Sequence, residues 1–287
     1  MNSAGTFAFF GTPRFAAVIL KRLIEAGIPP KLLVTNPDRP VGRKKTLTAP
    51  ATKRVVLDTD APVDIIQPEG LDEAVSEHLA DFDYFVVAAY SKIIPKRILS
   101  LPRKGVIGIH PSLLPKFRGA SPIQSVLLSG ENETGTTLYL MDEKVDHGSI
   151  LAQQHLTGVS LNTLTYSELE ERLAELSADL LLETLPRFWA DEVSGKPQAD
   201  ANATFTKKFV SQDGFVEYGD LTEAQEHGGD KAIAIDQKIR ALNPEPGTWT
   251  MENGARMKLL GAKLLADGKL RLTKIQYEGK TPQDVGA

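Results

Sequence analysis

The chain has 287 residues, 41% of them hydrophobic, with no cysteine and a net charge of -4. Such a length suits two domains with full apolar cores, and the composition excludes a disordered chain, disulfides, thiol catalysis and thiolate metal sites. The charge is unevenly spread: residues 1–60 hold ten Lys and Arg against four acids, residues 61–206 eleven against twenty-one, and residues 207–287 twelve against twelve.

The opening MNSAGTFAFFGTP lacks the basic n-region of a secretory signal, so Phe7 to Phe10 reads as a strand. No apolar stretch approaches the ~20 residues that a bilayer crossing needs, and a cytoplasmic protein with no membrane partner is expected. Thr12 and Pro13 read as the N-cap and first position of a helix in which Phe15, Ile19, Leu20, Leu23 and Ile24 recur at helical spacing. Gly27 stops it. After a strand at residues 32–35, seven of the ten N-terminal bases fall between Lys31 and Arg54, opposed only by Asp38, in a proline-rich segment without helix or strand periodicity. This reads as a basic loop. Having no interleaved aromatics, it suits phosphate contact better than base reading.

Further strands are expected at residues 63–66, 83–89 and 106–109, the second a nearly continuous apolar run suited to a central strand covered on both faces. Strands alternating with helical segments predict an α/β fold, a Rossmann-like and mostly parallel sheet with crossover helices. His110 then stands at the carboxyl end of a strand, on the edge where open α/β sheets bind ligands. The loop behind it is stiffened by Pro111, Pro115 and Pro122. Its apolar Leu113 and Leu114 either plug the core or line a pocket for a flat aromatic ligand.

Ser121 and Pro122 open a short helix, residues 136–141 alternate like a strand, and a neighbouring strand returns from Ile150, leaving Asp146 in the connection. Read alone, Asp146 is a polar turn carboxylate. Beside His110 it would fix the imidazole tautomer and let the ring serve a developing oxyanion. No helical His-x-x-x-His spacing joins His110, Asp146 and His147, so no metal is expected. G-x-G-x-x-G and P-loop patterns are also missing, which argues against NAD and ATP.

A capping box from Thr165 to Glu168 starts a long helix running to about Trp189. The expected division is a catalytic domain over residues 1–190, a polar linker over 191–206 and a C-terminal domain over 207–287. In the last, one helix precedes short strands broken at Asn253-Gly254 and Asp267-Gly268, the pattern of a small antiparallel β-barrel (OB-like) domain.

In this order the segments FFGTPRFA, TNPDRPVGRKK, VVAAYSKIIP, HPSLLPKFRGASPIQ, ETGTTLYLMDEKVDHGSIL and RALNPEPGTW resemble the folate-dependent formyltransferases over nearly the whole chain. The PDRPxGR loop, Pro122-Ile123-Gln124 and the size of the C-terminal domain are similar to the branch acting on tRNA. The resemblance implies that the α-amine of methionine on initiator tRNA attacks the formyl carbon of 10-formyltetrahydrofolate. It places His110 and Asp146 at the catalytic positions. It puts the folate pocket at Ala89, Tyr90, Ser91, Ile94, Ser112, Leu113, Leu114 and Pro115, and tRNA contact at Arg39, Arg43, Lys44 and Lys45. It implies no metal and a monomer, with residues 207–287 helping to bind tRNA. The alternatives are formyl transfer to an amino sugar nucleotide, hydrolysis of the folate donor, and a non-catalytic folate- or RNA-binding relative.

Two positions depart from the family pattern. Ser91 replaces a glycine, and Gly108 stands where an asparagine supplies a second oxyanion donor, a loss worth ~10²–10³ in turnover when nothing replaces it. Gly108→Asn is therefore expected to keep or raise activity, His110→Ala to abolish it, and Arg43→Ala to weaken tRNA use while sparing folate.

Overall fold

The computed structural model describes residues 5–42 and 44–286; Arg43 lies outside the described residues. The chain divides into two compact units, the first formed by residues 1–118, 134–157 and 170–205, the second by 119–133, 158–169 and 206–287.

The first unit is organised by a seven-stranded sheet. Its strands are β1 (Phe7–Gly11), β2 (Leu32–Val34), β3 (Asp64–Ile66), β4 (Tyr84–Ala88), β5 (Val106–His110), β6 (Gly135–Leu140) and β7 (Ile150–His155). They lie in the order β7-β6-β5-β4-β1-β2-β3. The first five run parallel, while β6 and β7 are antiparallel to their neighbours. β1 and β4 are buried at every residue, as their unbroken apolar sequences require for strands covered on both faces. Successive strands are added first on one side of β1 and then, from β4 onward, on the other, and a crevice at the carboxyl ends of β1 and β4 follows from this switch. The close approach there admits only glycine at position 11, where a Cβ would lie 2.9 Å from the Ala88 carbonyl oxygen and 2.6 Å from the Ala16 methyl.

The first helix, α1 (Arg14–Glu25), buries Phe15, Ile19, Leu20 and Leu23. It begins one residue later than expected, with Pro13 as its N-cap, because the Thr12 hydroxyl accepts the Asn36 N–H instead. Gly27 at φ +74° ends it, with the Ile28 N–H returning to the Leu23 carbonyl at 2.9 Å. Three short helices without a clear apolar stripe follow: α2 (Ala51–Thr59), α3 (Glu73–Leu79) and α4 (Lys96–Leu99). α3 is capped by the Asp72 carboxylate on the Val75 N–H. Below the crevice, Phe10, Val34, Phe85, Val87, Ile94 and Ile98 share one buried cluster.

The basic segment is a hairpin and not an irregular loop. Residues Arg39–Val41 pair antiparallel with Thr46–Thr48, and Gly42 at φ +73° and Lys45 at φ +47° help turn its tip. The linker expected at 191–206 is likewise packed and not free. Lys196 exchanges both backbone hydrogen bonds with Ile150, and Gln198 and Asp200 bond to the Asp146 hairpin and Arg118. Small polar composition hid these contacts because backbone groups, the Gln198 amide and the Asp200 carboxylate make them.

The second unit holds α5 (Pro122–Ser129), α7 (Tyr218–Glu226) and α8 (Asp230–Leu242); α6 (Tyr166–Trp189) belongs mostly to the first and begins with the expected capping box. Four antiparallel strands follow α8, in sequence order: β8 (Trp249–Glu252), β9 (Ala255–Leu264), β10 (Leu270–Tyr277) and β11 (Gln283–Asp284). Asn253 and Gly254, both at positive φ, close the first hairpin as their type I′ signature requires. Leu221, Ile235, Ile239, Met257, Leu259 and Leu272 form its core. The unit also takes in residues 158–169, because Arg240, paired with Asp236, donates to the carbonyls of Leu161 and Leu164.

Candidate active site

β5 ends at His110, which is only 5% exposed. Its Nε2 lies 2.8 Å from the Phe117 carbonyl oxygen. A carbonyl only accepts, so Nε2 carries hydrogen. The other edge faces Asp146, with Nδ1 3.6 Å from Oδ2. With hydrogen on Nε2, a neutral ring turns the Nδ1 lone pair toward this carboxylate, at an ion-pair distance and not a hydrogen-bond distance. A histidine and an aspartate that the sequence separates are thus brought to a single corner of the carboxyl edge.

Three non-glycine residues at the carboxyl edge hold left-handed backbone: Ala89 at φ +46°, Phe117 at +61° and Asp146 at +48°. Such conformations persist where the surroundings over-determine them, and they gather at functional sites. Those surroundings are visible here. The Phe117 N–H donates to the Thr204 hydroxyl at 2.8 Å. The amide of Gln198 donates to the carbonyls of both Asp146 and Gly148, at 2.9 and 2.8 Å. Gln198 is aligned in turn by the buried Arg118 guanidinium, which also binds Asp200 at 2.8 Å and holds that carboxyl below its usual range. His147 bonds Asp142 at 2.6 Å, and its Nε2 lies 3.5 Å from the Asp200 carboxylate.

The Asp146 carboxylate has a further partner. Oδ1 accepts from the Tyr139 hydroxyl at 2.7 Å. Burial first, and then the charge of Asp146, push this phenol well above its ordinary value, so it remains a donor. Sequence reading missed Tyr139 and Gln198. Tyr139 could have been found from register, since it pairs directly with Gly108; Gln198 left no local signal. The same pairing opposes the expected benefit of Gly108→Asn, because a Cβ at 108 would lie 2.5 Å from the Tyr139 ring unless the ring shifts. The slot that the resemblance gives to asparagine is filled from the neighbouring strand.

The residues expected around the folate occupy the same edge in different ways. Ala89 and Ser91 are exposed, Tyr90 is half-buried and Ile94 belongs to the apolar cluster below. Ser112 is fully buried, its hydroxyl donating to the Lys116 carbonyl at 2.6 Å. Leu114 is buried, with its N–H on the Thr137 hydroxyl and its carbonyl on the Gln153 amide, so it plugs the core. Leu113 and Pro115 keep part of their surface in solvent. Asn36, after β2, donates to the Ser91 hydroxyl at 2.9 Å. The Asn36 Oδ1 and the Tyr90 hydroxyl have no hydrogen-bond partner, and burial pushes that phenol up to about 12. Orphaned polar atoms at the crevice fit a polar heterocycle such as a folate pterin.

The basic hairpin is arranged otherwise. Lys44 and Lys45 are exposed, while Arg39 is tied to Glu69 at 2.7 Å. Its base is fixed by Asp38, Lys53 and Gln67, with Lys53 Nζ 3.0 Å from both Asp38 oxygens and 2.7 Å from Gln67 Oε1. The Gln67 amide and then Lys53 hold the Asp38 carboxyl below its usual range. Among the described residues no helix is long and apolar enough to cross a membrane, and no three His, Asp or Glu side chains are grouped to hold a metal ion.

Residues 6–185 match the family described as Formyl transferase, and residues 229–271 match Formyl transferase, C-terminal domain. The chain belongs to the formyl transferase family. It is 37% identical to a methionyl-tRNA formyltransferase of Syntrophus aciditrophicus, over 88% of this chain and 78% of that one. A methionyl-tRNA formyltransferase of Thermotoga neapolitana is 38% identical over the same shares. Among solved structures, the methionyl-tRNA formyltransferase from Clostridium thermocellum superposes with a TM-score of 0.62 at 16% identity, covering 95% of this chain and 98% of that chain. An N-formyltransferase from Helicobacter canadensis, in complex with folinic acid and dTDP-3-aminofucose, does so with a TM-score of 0.64 at 16% identity, covering 91% and 88%. These superpositions establish the shared fold.

Proposed function

We propose that the chain transfers the formyl group of 10-formyltetrahydrofolate to the α-amino group of methionyl initiator tRNA, in the cytoplasm. The observation that carries this reading is the His110–Asp146 corner, 3.6 Å across and nearly buried, at the carboxyl edge of the sheet. With Nε2 committed to Phe117, the hydrogen that the ring can offer a formyl oxygen is on Nδ1. Attack of the amine nitrogen on the formyl carbon places negative charge on that oxygen, which Nδ1–H stabilises. With hydrogen on both ring nitrogens, the base that takes the proton of the attacking nitrogen is the Asp146 carboxylate. As the carbon–nitrogen bond to the donor breaks, the Asp146–His110 pair returns a proton to the departing nitrogen, leaving tetrahydrofolate and formylated methionyl-tRNA. Asn36, Tyr90 and Ser91 would hold the donor.

The acceptor assignment draws on the relatives named above and on the exposed lysines of the hairpin, which suit a polyanion. Residues 207–287 would add further tRNA contacts. The test is formylation of charged initiator tRNA with the folate donor, beside a nucleotide-linked amino sugar. Formyl transfer to the tRNA is expected. Transfer to the sugar alone, or release of formate without an acceptor, would overturn the reading.

A further inference from the structure

Gly108 and Tyr139 are direct cross-strand partners on β5 and β6, and His110 pairs with Thr137 two residues along. Cross-strand partners share a face of the sheet, and residues two apart on one strand share it too. Gly108, His110 and Tyr139 therefore lie on one face. A Cβ on residue 108 would meet Cε1 and Cζ of Tyr139 at 2.5 Å and its hydroxyl oxygen at 2.8 Å. The ring lies across the bare backbone of Gly108, and only a residue without a side chain leaves it room. From there the hydroxyl reaches Asp146 Oδ1 at 2.7 Å, while Oδ2 is the oxygen turned toward His110. The tyrosine is 3% exposed. A buried donor on one oxygen fixes the plane of the carboxylate and so the direction in which its other oxygen points.

We infer that Gly108 and Tyr139 act as one unit in which Tyr139 is a positioning residue: its hydroxyl fixes the Asp146 carboxylate so that Oδ2 meets His110 Nδ1. Gly108 is the vacancy that admits the ring. The inference rests on the formyl-transfer reading and names what sets the geometry of its central pair. Tyr139 acts through Asp146, not on the substrate. It therefore governs the chemical step and leaves the binding of both substrates alone.

The test begins with steady-state turnover of the wild-type chain on charged initiator tRNA, which separates the two readings. If the wild type does not formylate charged initiator tRNA, the proposed acceptor fails, and the variants decide the role of Tyr139 on whichever acceptor the wild type does formylate. Tyr139→Phe keeps the ring and removes the hydroxyl. It is expected to lower kcat by about 10- to 100-fold, as loss of a buried hydrogen bond to a charged group does, with KM for donor and acceptor within about twofold. Gly108→Ala pushes the ring away from the opposite strand and is expected to lower kcat to a similar extent. Because both changes break one contact, the double variant should be no slower than about threefold below the slower single variant. Packing alone would not produce that split between kcat and KM, nor the shared loss. A kcat within twofold of wild type for Tyr139→Phe would overturn the inference, as would KM rising in step with the fall in kcat, or multiplication of the two single effects in the double variant.

Discussion

The carboxyl-edge corner and the basic hairpin sit on the same unit and are built on opposite plans. At the corner, His110 is buried and bonded to Phe117, and Asp146 is held through its side chain by Tyr139 and through its backbone by Gln198. On the hairpin, Lys44 and Lys45 are exposed, and the network of Asp38, Lys53 and Gln67 secures only the base. Groups that handle a proton in transit need a single geometry, because small displacements sacrifice alignment. Groups that meet a polyanion need charge and reach, and water between them does little harm.

Substitutions at the two places should differ in kind as well as size. His110→Ala is expected to lower kcat about 10³-fold in single-turnover formylation, with little change in substrate binding. A loss below tenfold would show that the corner is not the reacting site. Gly108→Asn should come next. Its side chain meets the Tyr139 ring, so thermal unfolding should show a loss of about 1–3 kcal/mol together with reduced turnover. A stable and faster variant would mean that the ring moves aside freely. Gln198→Ala leaves two carbonyls of the Asp146 turn without their donor, and about a tenfold fall in kcat is expected from the same assay. If only stability changed, the clamp would be scaffolding alone.

The hairpin should respond more gently and through salt. Lys44→Ala with Lys45→Ala is expected to raise KM for charged tRNA by about three- to tenfold at low ionic strength and to flatten its dependence on salt, with donor KM unchanged. Equal loss for both substrates would erase the distinction between the two regions. Arg39→Ala should have the smallest effect, about twofold or less, since its guanidinium is already engaged by Glu69.

The same contrast governs what could be read in the sequence. Strands β1, β4 and β5 were legible because an unbroken apolar run has few other uses, and His110 because it closes such a run. The helices at 51–59, 73–79 and 96–99 were not, being short and carrying little apolar periodicity; only the Asp72 cap marked one of them. Asp146 was legible through its motif, but its supports were not. Tyr139 looks like one more apolar residue of an alternating strand, and its role depends on an absent side chain across the ladder. Gln198 lies 52 residues beyond the turn it holds, in a segment whose polar, aperiodic composition reads as a spacer. Arg240 hides in the same way, since the carbonyls it binds are 76 and 79 positions upstream.

The embedding of residues 191–205 also bears on how the molecule is made. On the ribosome a chain emerges N-terminus first, and β1 to β6 can assemble as they appear. The Asp146 turn, however, receives its amide donor only after residue 198 has been added and has returned to cross behind it. Competence for the proposed chemistry thus waits until residue 198 has left the exit tunnel, and a nascent fragment ending at the close of the long helix would carry His110 and Asp146 without the amide donor that braces the Asp146 turn.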